Sequence, residues 1–561
     1  MSRMTVVLAA LLTTAACSKA PEPATPKAPL YNNLGNLHHE ITTASPEAQR
    51  YFDQGLTLSY AFNHAEAIRS FKQALAIDPD CAMCYWGVAF ALGPNINAPI
   101  TSEAATEAFE AIDQAKQRAG KASPKEQAYI DALSRRYVAD PKADRPPLDA
   151  AYAAAMRVVT QKFPDDLDAM TLFAQSLMDT APWNYWNADG SPREFTNDVL
   201  SSLESVLKRK ADHPGAIHLY IHAVEASPDP KRAEQYADRL PALVPGAGHL
   251  VHMSAHIYLR TGRFNDASTA NENAIKADTA YKAGNAVAGN MTYDIGYIPH
   301  NPHFFVVSAS LEGRRADALR AADEVKGKMH AEMLRDASMG GMVQHFMLTP
   351  LFTRLRFGMW DEVLAEPLPP QDLPYMQAIA QAARSIASAA TGRPDDAEQQ
   401  LEMARKAKDD AALKMLYVSS VNVGSAVASI AYEVAAGELR ARLKRAGEAA
   451  RHFAAAAAME DRLTYMEPPD WPIPVRQLQG AALLSLGRAA EAEKAYREDL
   501  KRFPNNGWSL SGLRESRIRQ GRERDAETMV LQMQLQQAWR RADVKIDSGR
   551  VQQVQKVHRV Q

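Results

Sequence analysis

The chain has 561 residues, 46% of them hydrophobic and 23% charged, with a formal net charge of -2 at pH 7. That length holds several ordinary domains or one long repeat array, and such a composition can bury a core. The near balance of 64 basic and 66 acidic residues argues against a nucleic-acid binder. Three cysteines are too few for a disulfide framework, and an alanine-rich chain with 28 glycines is expected to be helical.

Residues 1–17 begin with Arg3, run through the apolar stretch Val6 to Leu12 and end in small residues before Cys17. This is an export signal, too short to be a stable membrane span. Thr14-Ala15-Ala16-Cys17 resembles a bacterial lipobox, in which the cysteine is lipidated and becomes the mature N-terminus. Thr14 stands where that motif usually has leucine, so cleavage by an ordinary signal peptidase is the alternative. The resemblance implies export to the periplasm or cell envelope, with a lipid on Cys17 as the membrane anchor. Residues 18–44 open with SKAPEPATPKAP and read as a flexible tether, His38 and His39 being solvated linker residues. No later stretch reaches 18 uninterrupted apolar residues.

Beyond 45 the chain reads as helix pairs. Tyr51-Phe52-Asp53-Gln54-Gly55, then Ala67, Phe71, Ala74 and Pro79, supply the small and aromatic anchors of two tightly packed antiparallel helices. A Gly-Arg-x-x-acid-Ala turn recurs at Gly262 to Ala267, Gly313 to Ala318, Gly392 to Ala397, Gly487 to Ala492 and Gly521 to Ala526. Related turns end at Ala233 and Val363. The intervals Ala233 to Ala267, Val363 to Ala397 and Ala492 to Ala526 are each 34 residues. This pattern resembles the tetratricopeptide-repeat family over roughly residues 45 to 535, more weakly at 115–200 and 400–470. The resemblance implies an all-α superhelix (a solenoid) whose stacked pairs leave a concave face. Its expected divisions are an N-terminal helical region at 45–200, histidine-lined repeats at 201–365, C-terminal repeats at 366–545 and a basic tail at 546–561. The interval Ala267 to Ala318 is 51, which adds 17 residues near 281–298 that could cover the groove.

Smaller features fall along the same path. Cys81 and Cys84 have the spacing of a structural disulfide, a redox pair or a metal pair. The Gly93-Pro94-Asn95-Ile96-Asn97 loop reads as turn chemistry or the rim of a second pocket. Trp183, Tyr185 and Trp186 read as an aromatic anchor between repeats, or as a stacking surface. The basic stretch from Arg514 to Arg559 is a solvated helical face with a frayed tail. Phosphate-loop, dinucleotide-binding, serine-hydrolase and zincin motifs are absent.

Function is carried by the histidines. Eight of the fifteen lie between His213 and His303. The resemblance implies that side chains 18, 15 and 11 residues before each small turn residue look into the groove. Ala233 then places His218 and His222 there, and Ala267 places His249, His252 and His256. Ala318 adds His300 and His303, and Val363 adds His345. Four repeats offer twelve such positions and eight are histidine, where composition predicts about 0.3. Residues three and four apart on a helix have Cβ atoms about 5–6 Å apart, and packed helices lie about 8–10 Å apart, so these rings can converge. Neutral imidazole suits copper, zinc or iron, and eight ligands suffice for more than one ion. Glu225 and Asp294 are the candidate carboxylates, as ligand, outer-sphere partner or general base. His213 and His330 read as hydrogen-bonded core residues. The expected function is an exported protein that binds transition-metal ions in a groove, with oxidoreductase or hydrolase chemistry if a coordination position stays open. The alternative is a non-catalytic scaffold whose groove binds a peptide or an envelope protein.

Overall fold

The computed structural model describes residues 27–187, 189–284, 290–547 and 549–551. The export signal with Cys17, and residues 552–561 of the basic tail, lie outside them. Among the described residues the protein is all-α apart from isolated bridges and one short hairpin, Ile546–Asp547 against Arg550–Val551. Antiparallel helix pairs succeed one another from Pro46–Tyr60 with His64–Ile77 to Gly507–Ile518 with Ala526–Ala538. None of the described helices is long and apolar enough to cross a membrane.

The first pair shows how residue size sets the packing. Phe71 sits between Gly55 and Gly87, and a Cβ at either would lie 2.6 or 2.5 Å from its ring. Cys81 and Cys84, at the entry to Ala82–Leu92, form a disulfide. The recurrent turn has an equally local cause. Gly262, Gly313, Gly392, Gly487 and Gly521 all take φ of 74–78°, a left-handed conformation that costs a glycine little. The following N–H then reaches back five residues to close the helix, Arg263 to Tyr258 at 2.8 Å and Arg393 to Ser388 at 2.8 Å. Ala267, Ala318, Ala397 and Ala492 are fully buried, which is why only a small residue fits there. Ala526, in the last pair, is exposed.

Two expectations change. The described part of the 18–44 tether is packed, with Ala28, Leu34, Leu37 and Ile41 buried. His39, expected as a solvated linker residue, is buried and hydrogen-bonds Asp168 at 2.8 Å. The proline-rich composition of 18–29 reported a tether, but the apolar residues from Ala28 on have a face of the solenoid to cover. His330, read as a core residue, is instead exposed beside Glu332.

The superhelix closes on itself rather than presenting an open trough. Trp508 donates Nε1–H to the Ser310 carbonyl at 2.8 Å, and the Asp543 carboxylate accepts from the N–H groups of Arg315 and Ala316. One buried apolar cluster runs from Ala28 to Phe357 and takes in Phe503 and Trp508, so the boundary expected near residue 200 divides no core. A second cluster spans Val325 to Ala482. The concave face of the middle repeats is thereby enclosed.

Candidate metal centre

Six of the eight predicted histidines meet in two triads. His218 and His222 project one turn apart from Pro214–Glu225, and His249 opens Gly248–Thr261. Their ligand atoms lie within 4.8 Å of one another. The second triad, equally tight, is His252 and His256 from Gly248–Thr261 with His300 from Ile298–Leu311. The helix Gly248–Thr261 serves both triads because three of its histidines, spaced three and four residues apart, form one stripe. The triads adjoin: ring centroids of His222 and His256 are 5.4 Å apart, and those of His249 and His252 are 5.8 Å apart.

Hydrogen bonding fixes which nitrogen faces inward. The Tyr60 carbonyl can only accept, so His218 donates Nδ1–H to it at 2.6 Å. Glu225 Oε1 accepts from His222 Nδ1 at 2.7 Å, and Glu225 Oε2 accepts from His256 Nδ1 at 2.6 Å. Asn271 gives its Nδ2–H to the Ala267 carbonyl at 2.8 Å, which turns Oδ1 toward His252 Nδ1 at 2.7 Å. In each neutral ring the proton is therefore on Nδ1 and the lone pair is on Nε2. Nε2 of His218 and of His222, and both nitrogens of His249, are buried without a hydrogen-bond partner. His252 Nε2 and His256 Nε2 stand 2.9 Å apart, within hydrogen-bond reach of each other.

Burial presses the imidazoles of His218, His249, His252 and His300 far below the ordinary histidine pKa, and that of His222 below it. Burial would raise Glu225, but His256 and His222 together hold its carboxyl far below the usual carboxylate range. One buried carboxylate thus orients an imidazole in each triad. Tyr465 donates to the same Oε2 at 3.1 Å and lies 2.8 Å from Glu467 Oε1. Burial and the charge of Glu225 push Glu467 up to about 7.

Aromatic rings wall the site. Phe62 lies 4.5 Å from His218 and 5.5 Å from His249, and Phe304 lies 5.0 Å from both His252 and His256. Tyr297, in the predicted insertion, packs on His249 at 4.8 Å, so the described part of that insertion does cover the cluster. Trp183 stands edge-on to His222 at 5.1 Å. Asn97, in the loop read as turn chemistry, links Trp183 Nε1 to the Tyr297 hydroxyl, each at 3.2 Å. Of the six triad histidines, His300 alone keeps partial exposure.

Three sequence candidates fall elsewhere. Asp294 forms an ion pair with Lys282 at 2.8 Å on the outer side of the insertion, because it is near the histidines in sequence but faces away from them. His303 and His345 form a separate pair with centroids 6.0 Å apart. His345 bonds the Tyr375 hydroxyl and His303 packs on Phe346, so both serve the contact between the two apolar clusters. Burial lowers His303 to about 3 and His345 to about 4. Tyr60, Phe62, Tyr465 and Glu467 had no sequence signal, since each meets the site only through long-range packing, and Asn271 reaches His252 from the second helix of the same pair.

The tetratricopeptide-repeat family model matches residues 48–81. A comparison with curated proteins returns no match. Among solved structures the chain is similar to a human IFIT1 dimer with m7Gppp-AAAA, at 12% identity, covering 89% of this chain and 91% of that one, with a TM-score of 0.33. It is also similar to yeast Tom70, at 11% identity over 88% and 93% of the two chains, TM-score 0.26. Naa15/Naa10 bound to HypK gives 12% identity over 88% and 89%, TM-score 0.22.

Proposed function

We propose that this tetratricopeptide-repeat protein is an exported metalloprotein that holds two transition-metal ions. His218, His222 and His249 take one, and His252, His256 and His300 take the other. Glu225 acts as the shared positioning carboxylate rather than as a ligand, since both its oxygens accept hydrogen bonds from ligand imidazoles. The observation that carries this reading is the first triad's inward nitrogens, Nε2 of His218 and His222 and both nitrogens of His249, buried with no protein partner. Each such buried group costs about 1–3 kcal/mol when nothing meets it. A proton on His218 or His252 does not serve, because burial disfavours imidazolium there.

Three nitrogens per ion leave a coordination position open, and such an ion can activate water or dioxygen. That supports hydrolase or oxidoreductase chemistry rather than a sealed structural site. The disulfide between Cys81 and Cys84 supports an oxidising compartment, in keeping with an export signal and a lipid on Cys17.

Elemental analysis of the full chain tests the reading. Two ions per chain are expected, falling to one in His218→Ala/His222→Ala and to one in His252→Ala/His256→Ala, with helicity by circular dichroism unchanged. A folded chain that takes up no metal, or variants that keep both ions, would overturn it. A metal-free chain that retains an envelope peptide would favour the scaffold reading.

A further inference from the structure

The donor set and its surroundings narrow both the metal and the small molecule it meets; this step rests on the two-ion reading above. Each triad is built from imidazoles alone. Glu225 is the carboxylate in contact with them, and both its oxygens are already engaged by His222, His256 and Tyr465. Two divalent ions would bring four positive charges into a buried site whose neighbouring carboxylates are Glu225 and, through Tyr465, Glu467, and uncompensated buried charge is costly. Two copper(I) ions bring two charges, and copper(I) accepts three neutral nitrogen donors without further ligands. Dinuclear sites for harder divalent ions draw on carboxylate oxygens, and neither triad supplies one.

The walls point the same way. Phe62 and Phe304 cover the two triads, and Trp183 and Tyr297 are tied across the first through Asn97. An apolar shell of this kind limits water and ionic species around a metal. His300 alone of the six is partly exposed, which puts the solvent-facing side of the pair at the second triad. Rings belonging to different triads stand 5.4 and 5.8 Å apart, so a ligand of two atoms can reach both ions.

We propose that the two triads hold a pair of copper(I) ions that binds dioxygen between them. Each copper gives one electron and becomes copper(II). Dioxygen takes both electrons, its O–O bond order falls from two to one, and it bridges the ions as peroxide. No proton is taken up or released, and no other reductant is needed. The site carries the same net charge before and after, since two added positive charges on the metals meet two negative charges on the ligand. A buried site tolerates a redox change of that kind, because its net charge is conserved.

The test uses the full chain, freed of metal and loaded without oxygen with copper(I). Zinc(II) loading is run in parallel. Two coppers per chain are expected to take up one dioxygen on exposure to air. A peroxide-to-copper charge-transfer absorption should appear with it and fade under vacuum, and the O–O stretch should shift with heavy oxygen. His300→Ala is expected to keep the fold and the first triad's copper while losing dioxygen uptake. Two bound coppers without dioxygen uptake, or uptake that leaves isolated paramagnetic copper(II), would sink the dioxygen proposal and leave the two-ion reading standing. Two zinc ions bound but no copper would do the same. A chain that binds neither metal overturns both.

Discussion

Glu225 is the residue on which the two triads depend together. It lies three residues after His222 on the same helix, so one oxygen reaches that ring locally, while the other reaches His256 on the neighbouring helix. Glu225→Gln keeps the shape but offers one acceptor and one donor, so one of the two imidazoles loses its orienting partner. Outer-sphere changes of this kind typically cost 10–100-fold in metal affinity. Competition with a chelator should therefore show weaker binding in Glu225→Gln, with Tyr465→Phe affecting affinity less, since it removes only a 3.1 Å contact to the same oxygen. Equal affinity in wild type and Glu225→Gln would contradict this role. Glu225 was legible in the sequence because its spacing from His222 is helical. Asp294 was not separable from it there, because distance along the chain says nothing of which way a side chain faces once a helix changes pitch, as it does at Tyr293–Tyr297.

At the scale of elements, the turns and the N-terminal segment make opposite kinds of statement. The turn glycines are local. Gly392→Ala meets nothing within 4 Å, so its cost is the left-handed backbone alone, about 1–2 kcal/mol. Gly262→Ala adds a Cβ 2.3 Å from the Pro504 carbonyl oxygen, and its thermal midpoint should fall further than that of Gly392→Ala. The N-terminal segment is held by a long-range network. Asp168 accepts from His39, His213 and Tyr60. Burial would raise the Asp168 carboxyl, but the hydrogen bonds of His213 and His39 hold it well below the usual value. Burial would lower His39, but the bond to Asp168 more than offsets it and leaves its pKa raised. A depressed carboxyl stabilises the fold fully above its unfolded pKa of about 3.9 and loses that contribution as pH falls below it. A raised imidazole does the reverse: its contribution is full below about 6.5 and is lost as pH climbs through the folded value. The segment should thus resist proteolysis best between those limits. Asp168→Asn leaves two buried rings without their anion, a change worth about 3–5 kcal/mol. Its thermal midpoint should fall at neutral pH and decline less steeply in acid than that of the wild type.

For the whole molecule, closure of the superhelix is what turns a lined trough into a walled site. Trp508 is buried against the middle repeats, with Arg356 stacked 3.8 Å over its ring and its Nε1–H on the Ser310 carbonyl. Trp508→Ala should cost about 3–5 kcal/mol as a large core truncation. Hydrogen exchange should then quicken at Ser310 to Arg315 as well as within Gly507–Ile518. Faster exchange confined to Gly507–Ile518 would mean that the two ends of the chain do not support each other.

The sequence by itself determined the repeat, its 34-residue period, its turns and the helix face on which the histidines lie. These follow from short-range rules, in which a glycine sets a turn and residues three or four apart share a face. Only the tertiary structure decided that eight histidines divide into two triads and a separate pair, and that Glu225 joins the triads. It alone brought in Tyr60 from 158 residues before His218 and Tyr465 from 240 residues after Glu225. The physical reason is that the curvature of a solenoid is the sum of small rotations between neighbouring repeats. No single repeat encodes where that sum brings the chain back upon itself.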